Sequence, residues 1–488
     1  MTHLEQLLLL GLDQAPSPAS EDTLGLSAPN APWSLWLRVG AEATEQLAGK
    51  VSAPVEGAPQ APVDPRPVIP GSLADVIPLA IQRKLPWLLS ELAEALGKRG
   101  ARVSAGSLPT LLNASEALRE GVRPLLGPVG EWLAAQNPRW GWAVGAADDG
   151  WVRELEEESG AARAQALERG RRLDRELATE MLLQTLAKES AAERERLVRA
   201  CAGSLSSLDT GWLEELASTD RSKKVRAQCR SMLVLLPQSP TAQGYRELAE
   251  TCLSLEKQER SLGARLMRRT EALRLSAEVP PEQEGLEPEK HWGLGPQQGR
   301  LAALLAMVNP RIWPELWGVE PGRLVLAVDP SDDIAVLIGW TEAAIRFGAS
   351  EWAGPLHRLW SERPSRLGQA LQARLPAVMS AEDLESRCLE LLQSHGRRDP
   401  GDLDALLRPL PTPWSPRLGA AWLARVRPLH SIHQLPQLLH PTLELAARGI
   451  PAAQLPAQPL LPGTSAAVVL RMATLMEARR RIHAFSLG

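Results

Sequence analysis

Tyrosine and phenylalanine are nearly missing from this chain of 488 residues: one Tyr and two Phe stand beside 16 Trp. Lysine is scarce as well, with eight among the 54 basic residues. Arg, Ala, Gly, Pro and Trp are abundant together, as codon usage in a GC-rich genome produces. Selection of some Trp for binding is the other reading, because indoles are enriched at interaction hot spots. No sign of charge prevails: the net charge of −4 argues against a general attraction to nucleic acid or anionic membrane. Cysteine occurs four times, at 201, 229, 252 and 388, with no CxxC pair. That excludes a zinc knuckle or a disulfide framework and predicts buried free thiols in a reducing compartment. No apolar run approaches the roughly 18 residues that a membrane span needs. The opening MTHLEQLLLLGLDQ has no basic n-region and no small-residue cleavage site, so it predicts a helix start rather than a signal peptide. A soluble, cytoplasmic protein is expected. Walker A, GxSxG and HExxH are all absent, which removes the commonest signatures of nucleotide, hydrolase and zinc chemistry.

Helical spacing is what the chain has in quantity. Trp212–Pro237 reads as two short helices joined at Asp220. Val225, Cys229, Met232, Leu233 and Leu236 form one apolar stripe. Such a pair cannot bury its stripe alone and needs neighbours of the same kind, as in a helical solenoid. The pattern from 151 to 275 is read as purely helical. Ser190 and Glu193 form a capping box before Leu197, Cys201 and Leu205, and Ser239 caps a helix bearing Tyr245, Leu248, Cys252 and Leu255. The stripes recur about every 30 residues, shorter than a HEAT unit, so the predicted fold is all-α: an irregular HEAT-like array, or α-solenoid.

Four regions follow. Residues 1–150 form an N-terminal helical region, with helices over 3–12 and 31–49 and a Pro-rich linker or surface arm over 51–70. A further helix there carries Leu85, Leu88, Leu89, Leu92 and Leu96 and ends at Gly97 or Gly100, and Ser107 caps a short one. Residues 125–142, rich in Trp, Gly and Pro, read as an ordered turn region. Residues 151–275 hold the HEAT-like repeats. Residues 276–298 are an acidic Pro/Gly linker and the best candidate boundary, and 299–488 form a C-terminal helical domain. In that domain Leu324–Val328 is a short candidate strand, Pro416 opens a helix capped by Ser415, and a last helix over about 465–484 ends in Arg479, Arg480 and Arg481.

Several segments also carry a resemblance. GPVGEWLAAQNPRWGWA (127–143), ERERLVRACAGSLSSLDTGWLEELASTDRSKKVRAQCRSMLVLLPQSP (193–240), IGWTEAAIRFGASEWAGPL (338–356) and LLRPLPTPWSP (406–416) resemble, in order, blocks of a bacterial domain-of-unknown-function family, number 5691. The family has no assigned activity or catalytic residues, so the resemblance supplies no site. Its genes typically lie beside those for SWIM zinc-finger proteins, MoxR-type AAA+ ATPases and von Willebrand A-domain proteins. The resemblance thus implies, by association, protein partners in an ATPase-linked system.

Four constellations invite a site reading, and each has a plainer one. His430, His433 and His440 lack a Cys or acidic partner nearby and read as surface or capping residues. Asp329, Asp332 and Asp333 lack the remaining ligands of a calcium loop, and Asp332 reads as the N-cap of a helix starting at Ile334. Gly293, Gly295 and Gly299 miss the dinucleotide spacing and follow no strand. Lys223, Lys224, Arg226 and Arg230, with Arg265, Arg268 and Arg269, are interleaved with acids and read as solvated helix faces. The sequence therefore predicts no catalytic, cofactor or metal residues. The leading expectation is a non-enzymatic scaffold or adaptor for protein partners. The alternative is a HEAT-like nucleic-acid-binding or base-repair protein using the basic residues.

Overall fold

The computed structural model describes residues 60–144, 150–257, 273–363, 365–393, 400–427, 437–458, 460–461 and 466–487. Contacts divide the chain into Met1–Val63 and Asp64–Gly488. The helices expected over 3–12 and 31–49, and the first part of the Pro-rich arm, lie outside the described residues. The fold is all-α: 23 α-helices and a single two-stranded ribbon stand among the described residues. None of the described helices is long and apolar enough to cross a membrane.

The second unit begins with an extended arm. Proline-rich backbone cannot continue a helix, and here it docks edge-on: Ile69 donates to the Arg102 carbonyl at 3.0 Å and Arg102 to that of Pro67 at 2.9 Å. Helix α1 (Pro86–Arg99) buries Leu88, Leu89, Leu92 and Leu96 and stops at Gly100, which takes the left-handed conformation. Helix α2 (Glu116–Ala135) packs on α1 and is broken at Gly127, just before Pro128. The turn that follows folds back, so that Trp140 donates to Asn113 at 3.0 Å and Trp142 to the Leu112 carbonyl at 3.3 Å. The turn read over 125–142 is thus confined to its end: residues 125–135 belong to α2, kinked at Gly127, and only the stretch after Ala135 turns, with a short 3-10 helix over Pro138–Ala143.

Next come α3 (Gly150–Glu157), α4 (Gly160–Leu173), α5 (Arg175–Leu186), α6 (Ala191–Ala200), α7 (Thr210–Thr219) and α8 (Lys223–Leu233). Helices α4, α6 and α8 pack in succession. Helices α3 and α5 lie against α4, and α7 against α8. These six share an apolar core of their own. Val225, Cys229, Met232 and Leu233 are buried in it, while Leu236 lies beyond the helix end and packs on its margin. Two buried ion pairs cross the stack. The Arg171 guanidinium donates to Asp209 at 2.8 Å, and Arg194 grips Asp220 with two bonds of 2.9 Å. Ser190 caps α6 through the Glu193 amide at 3.3 Å, but the Glu193 carboxylate pairs with Arg196 instead of closing the box.

Helix α9 (Pro240–Cys252) starts at Ser239 as expected, yet ends three residues short of Leu255. The chain turns extended there. Strand β1 (Leu253–Lys257) pairs antiparallel with β2 (Leu273–Ala277), Leu255 facing Leu275. The purely helical reading of 151–275 is corrected at this point. Leu253 and Leu255 alternate with Ser254 and Glu256, and the matching Leu273 and Leu275 give that short period-2 run a partner.

The rest of the unit shares a second, larger core with α1 and α2. Its helices include α10 (Pro296–Ala306), α11 (Pro321–Ala327), α12 (Ile334–Phe347), α13 (Ser350–Glu362), α14 (Ala381–Gln393), α15 (Pro400–Leu407), α16 (Pro416–Val426), α17 (Leu443–Gly449) and α18 (Ala467–Leu487). Helices α10 and α12 meet at Gly339, where an added Cβ would stand 2.6 Å from Leu305 Cβ and 2.9 Å from the Ala302 carbonyl. The candidate strand at Leu324–Val328 is helical: Pro321 opens α11, and Leu324 and Val325 face the core. The N-cap position of α12 is Asp333, not Asp332, because the turn closes one residue later, on the Asp329 carbonyl at 2.8 Å. Ser415 caps α16 through the Leu418 amide at 3.1 Å.

Indoles fill this core. Trp313, Trp340, Trp352 and Trp422 are fully buried, and Trp340 meets Trp352 edge to face at 4.9 Å. Trp360 donates to Thr341 Oγ1 at 2.9 Å and Trp422 to Thr442 Oγ1 at 3.0 Å. Much of the tryptophan is therefore packing material. Helix α18 runs through what was read as its basic end: Arg479 is buried at mid-helix. It holds Glu91 of α1 with bonds of 2.9–3.0 Å and donates to the carbonyls of Ala447 and Ile450.

Candidate functional site

A cleft of about 690 Å³ opens between the stack and the larger core. Helices α6 and α8 supply one wall, with Glu195, Lys224, Gln228 and Arg230. Helices α10 and α12 supply the other, with Ala303, Met307, Glu342 and Arg346, and Arg374 joins them. The segment from 276 to 298, read from sequence as a linker, forms part of the lining through Gly285, Glu287, Glu289, His291 and Trp292.

That segment is held at fixed points. Leu286 and Trp292 are buried in the larger core. Gly285 adopts φ +95°, and a Cβ there would stand 2.6 Å from the Tyr245 hydroxyl and 3.3 Å from the Arg230 side chain. Glu284 accepts from Arg226 at 2.8 Å and lies 3.3 Å from Arg230. The Arg226 bond, with Arg230 beside it, holds the Glu284 carboxyl below its usual range. The basic residues of α8 thus divide. Arg226 and Arg230 turn toward the acidic segment, and Lys224 lines the cleft. They are not simply a solvated face.

Cations and acids of the cleft balance: Lys224, Arg230, Arg346 and Arg374 against Glu195, Glu287, Glu289 and Glu342. Arg374 pairs with Glu342 at 2.6 Å. Arg230 has Glu284 and the Ala217 carbonyl, the latter at 3.2 Å. Arg346 differs, because its buried Nε finds no acceptor among the described residues. Burial lowers its pKa below the usual guanidinium value, with Glu342 and Glu289 opposing that shift.

The other constellations stay apart from the cleft or outside view. His430, His433, Arg265, Arg268 and Arg269 lie outside the described residues, and the His440 side chain is likewise not described. Asp329 accepts from the Ser331 amide at 2.9 Å within a turn, and burial, with Asp332 and Asp329 adding to it, raises the Asp333 carboxyl. Gly293 and Gly295 flank the turn into α10, and Gly299 packs against Pro288, so all three serve chain direction and close packing. No three His, Cys, Asp or Glu gather to hold a metal ion among the described residues. The four cysteines are buried and unpaired, and burial pushes the thiols of Cys201, Cys229 and Cys388 up to about 12.

Sequence reasoning missed Arg346, Glu342, Arg374 and Trp292. The one local signal was an arginine directly after the stripe Ile334, Leu337, Ile338, Thr341 and Ile345, where a helix C-terminus ordinarily accounts for it.

The fold and the cleft define an all-α protein with two apolar cores and a balanced, charged groove between them. The chain belongs to a family of unknown function, DUF5691, whose model matches residues 3–485. No curated protein matches it.

Proposed function

We propose that this protein is a non-enzymatic, HEAT-like helical adaptor that receives a protein partner in the cleft between its stack and its larger core. The carrying observation is the cleft itself: a groove of balanced charge with a guanidinium left unpaired at Nε. The succession of α4, α6 and α8, backed by α3, α5 and α7, supports the repeat reading, since such pairs build concave surfaces without further chemistry. Four free thiols suit a reducing cytoplasm. The partners to try first are those the family resemblance implies: a MoxR-type AAA+ ATPase, a von Willebrand A-domain protein or a SWIM zinc-finger protein.

A pull-down with the full chain as bait tests this reading. Retention of one of these proteins, weakened by charge reversal at Lys224 and Arg374, supports it. Failure to retain any of them, with duplex or single-stranded nucleic acid bound instead under a steep salt dependence, would favour the nucleic-acid alternative.

A further inference from the structure

A guanidinium N–H taken out of water is costly unless an acceptor answers it, and in the half-buried Arg346 side chain that N–H is Nε. The other arginines of the cleft are answered: Arg374 by Glu342 and Arg230 by Glu284 and a backbone carbonyl. Arg346 is not. It makes no hydrogen bond or ion pair with any described residue, although Glu342 and Glu289 are near enough to act on its charge. It also lines a cleft whose volume, about 690 Å³, suits a bound ligand of several side chains' bulk. A planar guanidinium matches a carboxylate through two parallel hydrogen bonds. The balanced rim narrows the choice of ligand. A phosphate chain would meet Glu287, Glu289 and Glu342 as well as the arginines, whereas a peptide carrying one acid among neutral or basic residues would meet complementary charge on both sides.

We infer that Arg346 is the seat for the side-chain carboxylate of an Asp or Glu in an extended segment of the partner protein. This rests on the adaptor reading and gives its partner a chemistry. The guanidinium holds the acid in the cleft. Lys224 on the α8 wall, Arg374 on the opposite wall, and Glu287 and Glu289 of the 276–298 segment select the flanking residues.

Panning a displayed random dodecapeptide library on the full chain tests the seat. Selected peptides are expected to share an Asp or Glu at one position. Synthetic versions should bind about ten- to a hundredfold more weakly to Arg346→Gln, as loss of a charged hydrogen-bond pair implies. Arg346→Lys should restore only part of the affinity, because an ammonium cannot offer the fork. The thermal midpoint of Arg346→Gln should equal or exceed that of the unaltered protein, showing that lost binding is not lost folding. The seat is overturned if peptides without an acid are selected, if Arg346→Gln binds acidic peptides as well as the unaltered chain, or if inorganic phosphate or ATP binds the cleft while no peptide does. The two readings separate cleanly. A partner retained equally by Arg346→Gln sinks the seat and leaves the adaptor. Acidic peptides bound through Arg346, with none of the implied partners retained, keep the seat and remove those partners.

Discussion

The stack over 150–233 and the larger core around it are both helical, yet they are held together by different means. The stack's core is a smaller set of Leu, Ala, Val, Cys and Met with two indoles, Trp151 and Trp212, and two buried arginine–aspartate pairs cross it. The larger core is thick and filled by indoles, two of which hydrogen-bond to buried threonines. Small aliphatic side chains fix helix register only weakly, and in the stack shape does so mainly where Trp151 packs over Gly170. Directional bonds remove that freedom: Asp209 accepts at once from Arg171, the Ser206 amide and the Trp212 indole, at 2.8–3.1 Å. In the larger core the shapes of Trp340 and Trp352 already fix how the helices meet. Register leans more on polar bonds in the stack and more on volume in the larger core, although Trp151 over Gly170 and the buried Arg479–Glu91 bonds cross that division.

The sharpest test of this contrast is Asp209→Ala. It leaves Arg171 buried without its carboxylate and should cost about 3–5 kcal/mol in denaturant unfolding. The paired change Arg171→Met with Asp209→Leu should recover most of that loss, because the uncompensated charge is then gone. Trp352→Ala in the larger core should cost a similar or slightly smaller amount, about 3–5 kcal/mol, through the cavity it leaves. A loss below about 1 kcal/mol there would break the claim that volume sets this core.

Acid separates the regions further. His357 is buried in α13, and burial, with Arg387 and Arg358 nearby, lowers its pKa from 6.5 to about 4. The unfolded chain therefore takes up a proton before the folded one does. The stability this residue governs is fully present above pH 6.5 and is lost as pH falls toward 4, by up to about 3 kcal/mol. Thermal midpoints measured across that window should fall in the unaltered protein and fall less in His357→Leu. The smallest effect is expected from Thr341→Val, which leaves the Trp360 indole N–H without its acceptor at a cost of about 1–3 kcal/mol. If Thr341→Val proved costlier than Asp209→Ala, the larger core would be the region ruled by polar bonds.

Helix faces could be read from the sequence because each is a local pattern. Val225, Cys229 and Met232, or Leu88, Leu89 and Leu92, announce their burial within a few residues. The hairpin was hidden because Leu248, Cys252 and Leu255 are also spaced as a helix spaces them, and nothing local reports that Leu275 waits across the ribbon. The buried ion pairs were hidden for a similar reason. Their partners lie 38 and 26 residues apart, and each residue alone resembles a surface charge. The cleft was the least legible feature. Arg346 becomes unusual only once the 285–292 segment and Arg374 close around it, and that acidic segment reads as a spacer until Leu286 and Trp292 are seen in the core.

The bond between Glu91 and Arg479 spans 388 residues of chain. On the ribosome, α1 emerges first and must wait for α18. At about 5–20 residues per second the interval is roughly 20–80 s. Throughout it Glu91 and the face of α1 that meets α18 lack their partner, although α2 can already pack on α1, while the stack, whose helices pack on neighbours one or two places along the chain, has the means to assemble as it emerges. The nascent protein thus carries one face of α1 without its partner for most of its synthesis. A premature stop anywhere before Arg479 would leave that face without its partner for good.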